Sequence, residues 1–207
     1  MRLHTVFVTC DRLELTKRTF ESYLETVTVP YSFTFVDNGS TDGTAEWLRE
    51  RLRYDQALLG ENRYPGFAAN LGFGRAPEGA THLHRSDNDV EYLPGWCDEV
   101  EKAFEDPGVW QVGLRTVEEE GPHGAVGGNC VLHRDAWTAG IRYSEEPWTR
   151  IPFEDAVVAQ RINRLGHIWV RVQEPCIVHT GLASSDDPYY QRTFTERGIT
   201  FAQYGIE

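Results

Sequence analysis

Through its first half, this chain alternates short apolar runs with amphipathic stretches, and that alternation limits the available folds more than any other feature. Leu3 to Cys10 is rich in β-branched and aromatic residues and reads as a buried strand. Leu13 to Thr26 follows with an apolar stripe at helical spacing that includes Leu13, Phe20, Tyr23 and Leu24. Tyr31 to Val36 is a second strand and Thr44 to Leu52 a second helix, with Thr41 or Asp42 as its N-cap. Gln56 to Leu59 reads as a short strand, Phe67 to Arg75 as a helix and Thr81 to Arg85 as a fourth strand. Pro94 to Phe104 is a helix with proline in its first turn. Strands and helices in this order imply a parallel sheet with right-handed crossovers. Sheets of that kind bind ligands beyond the carboxyl ends of their strands.

Acidic residues stand at those ends. Asp37-Asn38-Gly39-Ser40 follows the second strand, and Asp87-Asn88-Asp89 follows the fourth. Alone, each reads as a turn, because Asp, Asn and Gly favour turns. Their position after apolar strands turns them into candidate ligand contacts. Glu154-Asp155 opens a further helix, Phe153 to Leu165, where acids also complement the helix dipole. His179 ends the short run from Pro175 to Val178. Carboxylates alone would repel a phosphate-bearing ligand, so a divalent cation belongs with this set.

The second half is less regular. Val109 to Leu114, Val126 to His133, Ile168 to Val172 and Cys176 to His179 read as strands, and Arg115 to Gly124 as a loop. At 207 residues the chain suits one domain. Its net charge of −12 argues against a general nucleic-acid binder, which needs a basic face. Arg49, Arg51 and Arg53 lie close together and read as a solvated helix end. Cys10, Cys97, Cys130 and Cys176 form no CxxC pair or zinc spacing, and three of them fall in apolar runs as buried thiols. Neither a signal peptide nor an apolar run of membrane-spanning length is present, so the expectation is a cytoplasmic protein without a membrane anchor.

Taken in order, Thr9-Cys10-Asp11-Arg12, Val36 to Thr44, Gly66 to Gly72, Asp87-Asn88-Asp89, Gly128 to Leu132 and Phe153-Glu154-Asp155 carry a family likeness. From about Leu3 to Gly181 the chain resembles family 2 glycosyltransferases of the GT-A fold, especially their small rhamnosyltransferase-like members. Such a set is far more specific than a lone DxD. The resemblance implies an α/β fold: a single Rossmann-like GT-A domain, with a mostly parallel central sheet flanked by helices. Residues 1–181 would form it, with 1–105 as the nucleotide-binding half and 106–181 as the acceptor and catalytic half. Residues 182–207 match nothing recognisable and are read as a tail able to cover the acceptor site.

The implied activity is metal-dependent, inverting hexosyl transfer from a UDP- or dTDP-linked sugar to an acceptor hydroxyl. By resemblance, Asp37 takes the nucleotide base, with Thr9, Arg12 and Asn38 around it and Asn70 nearby. A carboxylate accepts well from the imide N–H of uracil or thymine. Asp89 is the direct ligand of Mn²⁺ or Mg²⁺, with His179 completing the site. Asp87 takes the ribose or the metal's surroundings. Asp155 is the general base, with Glu154 as the runner-up. Trp148 is a candidate acceptor contact, because aromatic rings stack on sugar faces. The QxxRW signature of processive synthases is missing, which favours a single transfer. A saccharide or small molecule is the favoured acceptor, and a hydroxymethylated DNA base is an alternative. A sugar-nucleotide nucleotidyltransferase would need a Gly-rich, Arg-containing loop after the first strand, which Thr9 to Leu13 does not supply. A catalytically inactive nucleotide-sugar-binding module is the alternative outside enzymes.

Overall fold

The computed structural model describes residues 1–51, 53–119, 126–146 and 154–181, together with the single positions 191, 195 and 198. Trp148 and nearly all of the 182–207 tail lie outside the described residues.

The elements run β1 (Leu3–Thr9), α1 (Leu13–Thr26), β2 (Tyr31–Asp37), α2 (Thr44–Arg49), β3 (Asp55–Leu58), α3 (Tyr64–Phe73), β4 (His82–Ser86) and β5 (Val90–Tyr92). They continue with α4 (Trp96–Ala103), β6 (Val109–Thr116), β7 (Cys130–His133), α5 (Arg134–Thr138), α6 (Glu154–Arg164) and β8 (Ile168–His179). The described strands form one sheet in the order β3-β2-β1-β4-β7-β6-β8-β5. Pairing is parallel from β3 through β4 and again between β6 and β8. It is antiparallel at β4–β7, β6–β7 and β5–β8. The parallel half and its crossover helices follow the alternation in the sequence.

Register sets the acids level with one another. Thr9 pairs with Asp37, and Phe7 pairs with both Phe35 and Ser86. Asp37 and Asp87 therefore leave the sheet at the same edge, within one residue of each other.

Two buried clusters hold the sheet from its two faces. One gathers Phe7, Phe20, Tyr23, Phe35, Tyr92 and Trp96 beneath α1 and α4. Its rings meet mostly edge to face: Phe7 and Tyr23 stand 5.1 Å apart at 89°. The other packs α3 and α6 through Val6, Ala68, Ala69, Phe73, Val158 and Ile162. The small residues of α3 let the helix lie against β1. A Cβ on Gly72 would meet the Val6 side chain inside van der Waals contact.

Several boundaries differ from expectation. Ile168–His179 is one strand, with Pro175 placed where the pairing with β6 is irregular near Arg115. That is a site where a strand tolerates proline. The strand expected from Val126 is confined to Cys130–His133, since Gly127 takes a φ of 81° and leaves the ladder. The α2 N-cap is Gly43, and Asp42 stands just outside it.

Candidate active site

Asp42 joins the starts of two helices. Its carboxylate accepts from Leu13 N at 2.7 Å and from Thr44 N at 3.0 Å. Burial alone would raise its pKa, but these amides and the Thr44 hydroxyl bring it below the ordinary carboxylate value. Asp11 ties the same turns together: its Oδ1 accepts from Thr41 N at 2.7 Å, and its own N–H donates to Ser40 Oγ at 2.7 Å. Asp11 and Arg12 both sit in the left-handed region, at φ 56° and 63°. The chain spends strain here to turn sharply from β1 into α1.

Asp37 ends β2 and is 1% exposed. Thr9 Oγ1 donates to its Oδ1 at 3.2 Å, and Ser40 N donates to Oδ2 at 3.3 Å. Burial raises its pKa against these bonds. Both contacts are long, and a carboxylate has about four acceptor positions, so capacity remains for a further donor.

Asn38 and Asn70, expected near a nucleotide, both hold neighbouring loops through their side-chain amides. Asn38 Nδ2 donates to Asn62 Oδ1 at 3.0 Å, and Asn38 Oδ1 accepts from Arg63 N at 2.8 Å. Asn70 Nδ2 donates to Tyr143 O at 3.1 Å and to Glu145 Oε1 at 2.8 Å, while its Oδ1 accepts from Tyr143 N at 3.0 Å. These bonds satisfy buried amides that would otherwise be costly to leave unpaired.

Asp89 draws three chain segments together. Arg12 NH1 donates to its Oδ2 at 2.6 Å and to Gly181 O at 3.3 Å. His179 Nε2 stands 3.5 Å from Asp89 Oδ1. Gly181 has to be glycine, since a Cβ there would lie 2.5 Å from Asp89 Cβ. Burial and the charge of Asp87 raise the Asp89 pKa, while His179 and Arg12 act against them.

Among the described residues, no group of three or more His, Cys, Asp or Glu side chains is placed to hold a metal ion. Two donors do converge, Asp89 Oδ1 and His179 Nε2. Neighbouring ligands of an octahedral ion at about 2.1 Å stand roughly 3 Å apart, so this pair, at 3.5 Å, would close by about half an ångström to take two adjacent positions. Such ions commonly fill the rest of their shell with phosphate oxygens and water. A mixed oxygen and imidazole set suits Mn²⁺ better than Mg²⁺. Asp87, expected to share in metal binding, accepts one hydrogen bond at each oxygen: from Arg85 NH2 to Oδ1 at 3.1 Å and from Asn129 Nδ2 to Oδ2 at 3.3 Å.

The loop before β7 links the two acidic centres. Asn129 Oδ1 accepts from Asp87 N at 2.9 Å, and two residues earlier Gly127 N donates to Asp155 Oδ2 at 3.0 Å. Between them, Gly128 lies so close to Asp87 that a Cβ would meet its carboxylate. Arg85, inside β4, makes a second connection. Its NH1 lies 2.8 Å from Glu154 Oε1, at ion-pair distance. Burial disfavours the Arg85 charge, but Asp87 and Glu154 outweigh it and raise the pKa above the ordinary arginine value. Arg85 had no place in the sequence reading, and Gly128 and Asn129 entered it only as part of the family likeness, without a role. Position was a further signal: a cation two residues before Asp87, and a Gly-Gly-Asn run breaking an apolar strand.

Asp37 ends β2, Asp87 and Asp89 lie between β4 and β5, and Glu154 and Asp155 open α6; Asp87 is tied to Glu154 through Arg85 and to Asp155 through the 127–129 loop. Asp155 is half of an acid pair at the start of α6, and Glu154 is neutralised by Arg85. The arrangement gathers carboxylates at one end of the sheet, and the described hydrogen bond of Asp155 is to a backbone amide.

The sequence profile described as Glycosyl transferase family 2 matches residues 5–155. The chain therefore belongs to glycosyl transferase family 2. No curated protein sequence matches it. Among solved structures, it is similar to the mannosyltransferase PcManGT from Pyrobaculum calidifontis in complex with GDP-Man and Mn²⁺. The identity is 16% and the TM-score 0.72, covering 98% of this chain and 63% of that one. S. aureus TarS 1-349 is similar at 13% identity and a TM-score of 0.66, covering 87% of this chain and 60% of that one. TarS 1-349 in complex with UDP aligns at 12% identity and a TM-score of 0.68, over 98% of this chain and 68% of that one. These likenesses place the chain in the GT-A fold. It spans less than two thirds of the first two structures. No helix among the described residues is long and apolar enough to cross a membrane.

Proposed function

We propose that this member of glycosyl transferase family 2 transfers a sugar, with inversion, from a nucleoside diphosphate to an acceptor hydroxyl. The observation that carries the proposal is the connection of Asp87 to Asp155 through Gly127, Gly128 and Asn129. It brings a donor-side acid and a proton acceptor from distant parts of the chain to one place, as a displacement at one carbon requires.

Asp37 accepts from the imide N–H of the base, which favours UDP or dTDP. Thr9 and Ser40 fix its carboxylate for that contact. Asp89 and His179 are the residues that would hold a divalent ion, and Arg12 fixes the remaining oxygen of Asp89. Such an ion, when bound, supplies positive charge to the donor's diphosphate as negative charge develops there. The mannosyltransferase relative holds Mn²⁺ together with its nucleotide sugar, which supports the ion's place here.

Asp155 takes the proton of the acceptor hydroxyl while that oxygen bonds to the anomeric carbon. The bond from that carbon to the diphosphate oxygen breaks, and its electron pair leaves with the nucleotide. Gly127 N–H holds the Asp155 carboxylate in place. Glu154 is less suited to this role, because Arg85 binds it as a charged partner.

Asp155→Asn tests the assignment. General-base catalysis contributes about 10²- to 10⁴-fold, so transfer and slow donor hydrolysis should both fall by that order. Calorimetric affinity for UDP should hold, and the parent's product should carry inverted configuration by NMR. A product with retained configuration, or a variant with parental turnover, overturns the proposal.

A further inference from the structure

Arg85 is 3% exposed inside β4, yet it contacts two different parts of the candidate site. NH2 donates to Asp87 at 3.1 Å, NH1 lies 2.8 Å from Glu154, and the guanidinium carbon stands 5.3 Å from the Tyr143 ring centre. Glu154 and Asp155 are consecutive at the first turn of α6. The NH2 arm is a directional hydrogen bond to Asp87, whereas NH1 holds Glu154 by charge at ion-pair distance without hydrogen-bond geometry, and the rigid planar guanidinium sets how far apart the two arms reach. A lysine offers a single point charge and cannot hold both carboxylates in the same geometry. A bridge needed only for stability could be replaced by an apolar pair at little cost.

We infer that Arg85 is a positioning residue that fixes the separation between Asp87 and Asp155, and with it the reach from donor to acceptor hydroxyl. This rests on reading Asp155 as the base. Two variants test it: Arg85→Lys, and the paired Arg85→Met with Glu154→Leu. Donor hydrolysis is followed by mass spectrometry with UDP-glucose, UDP-GlcNAc and GDP-mannose. UDP and GDP affinity is measured by calorimetry with Mn²⁺, and folding by circular dichroism and melting.

For Arg85→Lys, nucleotide affinity should stay within about threefold of the parent, while the rate at saturating donor falls about 10- to 100-fold, because small misplacements at a reacting centre cost rate. The paired variant should regain the parental melting temperature without regaining the rate. Parental turnover in Arg85→Lys overturns the inference, and so does a paired variant that recovers rate together with stability. A parent chain that neither binds nucleotide nor hydrolyses any donor overturns the glycosyltransferase proposal, and this inference with it.

Discussion

Gly128→Ala is the sharpest perturbation of the site, because it adds one methyl group where the chain leaves no room. A Cβ there would stand 3.1 Å from Asp87 Cγ and 3.2 Å from Oδ1, and well inside 3.0 Å of Oδ2, a spacing that Cβ atoms essentially never show. No positive φ is involved, so the cost is steric and falls on the carboxylate. Restoring ordinary contact requires Asp87 to move by about 1 Å. That motion first breaks the 3.3 Å bond from Asn129 Nδ2, the weaker of its two side-chain contacts. A hydrogen bond to a charged group contributes about 1.5–3 kcal/mol, and a misplacement of about 1 Å costs roughly 10²-fold in rate. Gly140→Ala provides the contrast. At φ 87° with nothing within 4 Å, it should cost about 1 kcal/mol through backbone strain alone and leave the site untouched. Donor hydrolysis at saturating donor and thermal melting, measured on both variants, separate the two effects. Gly128→Ala should lose about 10²-fold in rate, and Gly140→Ala about 2–4 °C in melting temperature. If Gly128→Ala hydrolyses donor within threefold of the parent, the tight linkage of Asp87 to the 127–129 loop does not govern the chemistry.

Other outcomes follow from the same structure. EDTA should abolish donor hydrolysis and added Mn²⁺ or Mg²⁺ restore it, with Asp89→Ala insensitive to both; full activity in EDTA would remove Asp89 and His179 from that role. Acid should destabilise the fold through His84, which burial holds at a pKa of about 3 against an ordinary 6.5. Its stabilising contribution is complete above pH 6.5, because both states are then neutral. It declines as pH falls below 6.5, where only the unfolded chain takes up the proton, by about 1.4 kcal/mol per pH unit. His4 and His82, each lowered to about 4 by burial, act in the same direction. Urea unfolding from pH 7 to pH 5 measures this slope, and a flat profile refutes it.

The sequence alone determined the parallel half of the sheet and the edge at which its acids stand. Apolar runs such as Leu3 to Cys10 can be buried only as interior strands, and the acids after them then fall at one edge. Cys97, given no place in the sequence reading, is buried like the other three thiols. Asp37, Asp87, Asp89 and Asp155 were legible because each stands where a regular element begins or ends. Their partners were not. β5 has three residues and exists through its pairing with β8, which no local pattern shows. That Asn38 and Asn70 hold loops through their amides is visible only in the folded chain, which shows which partner each amide finds. Arg85 was a lone cation in an apolar strand, and its role appeared once α6 brought Glu154 within 2.8 Å of it. Strand and helix periodicity are local and are written in neighbouring residues. A hydrogen-bond partner about seventy positions away is set by the three-dimensional closure of the sheet, and only the tertiary structure records it.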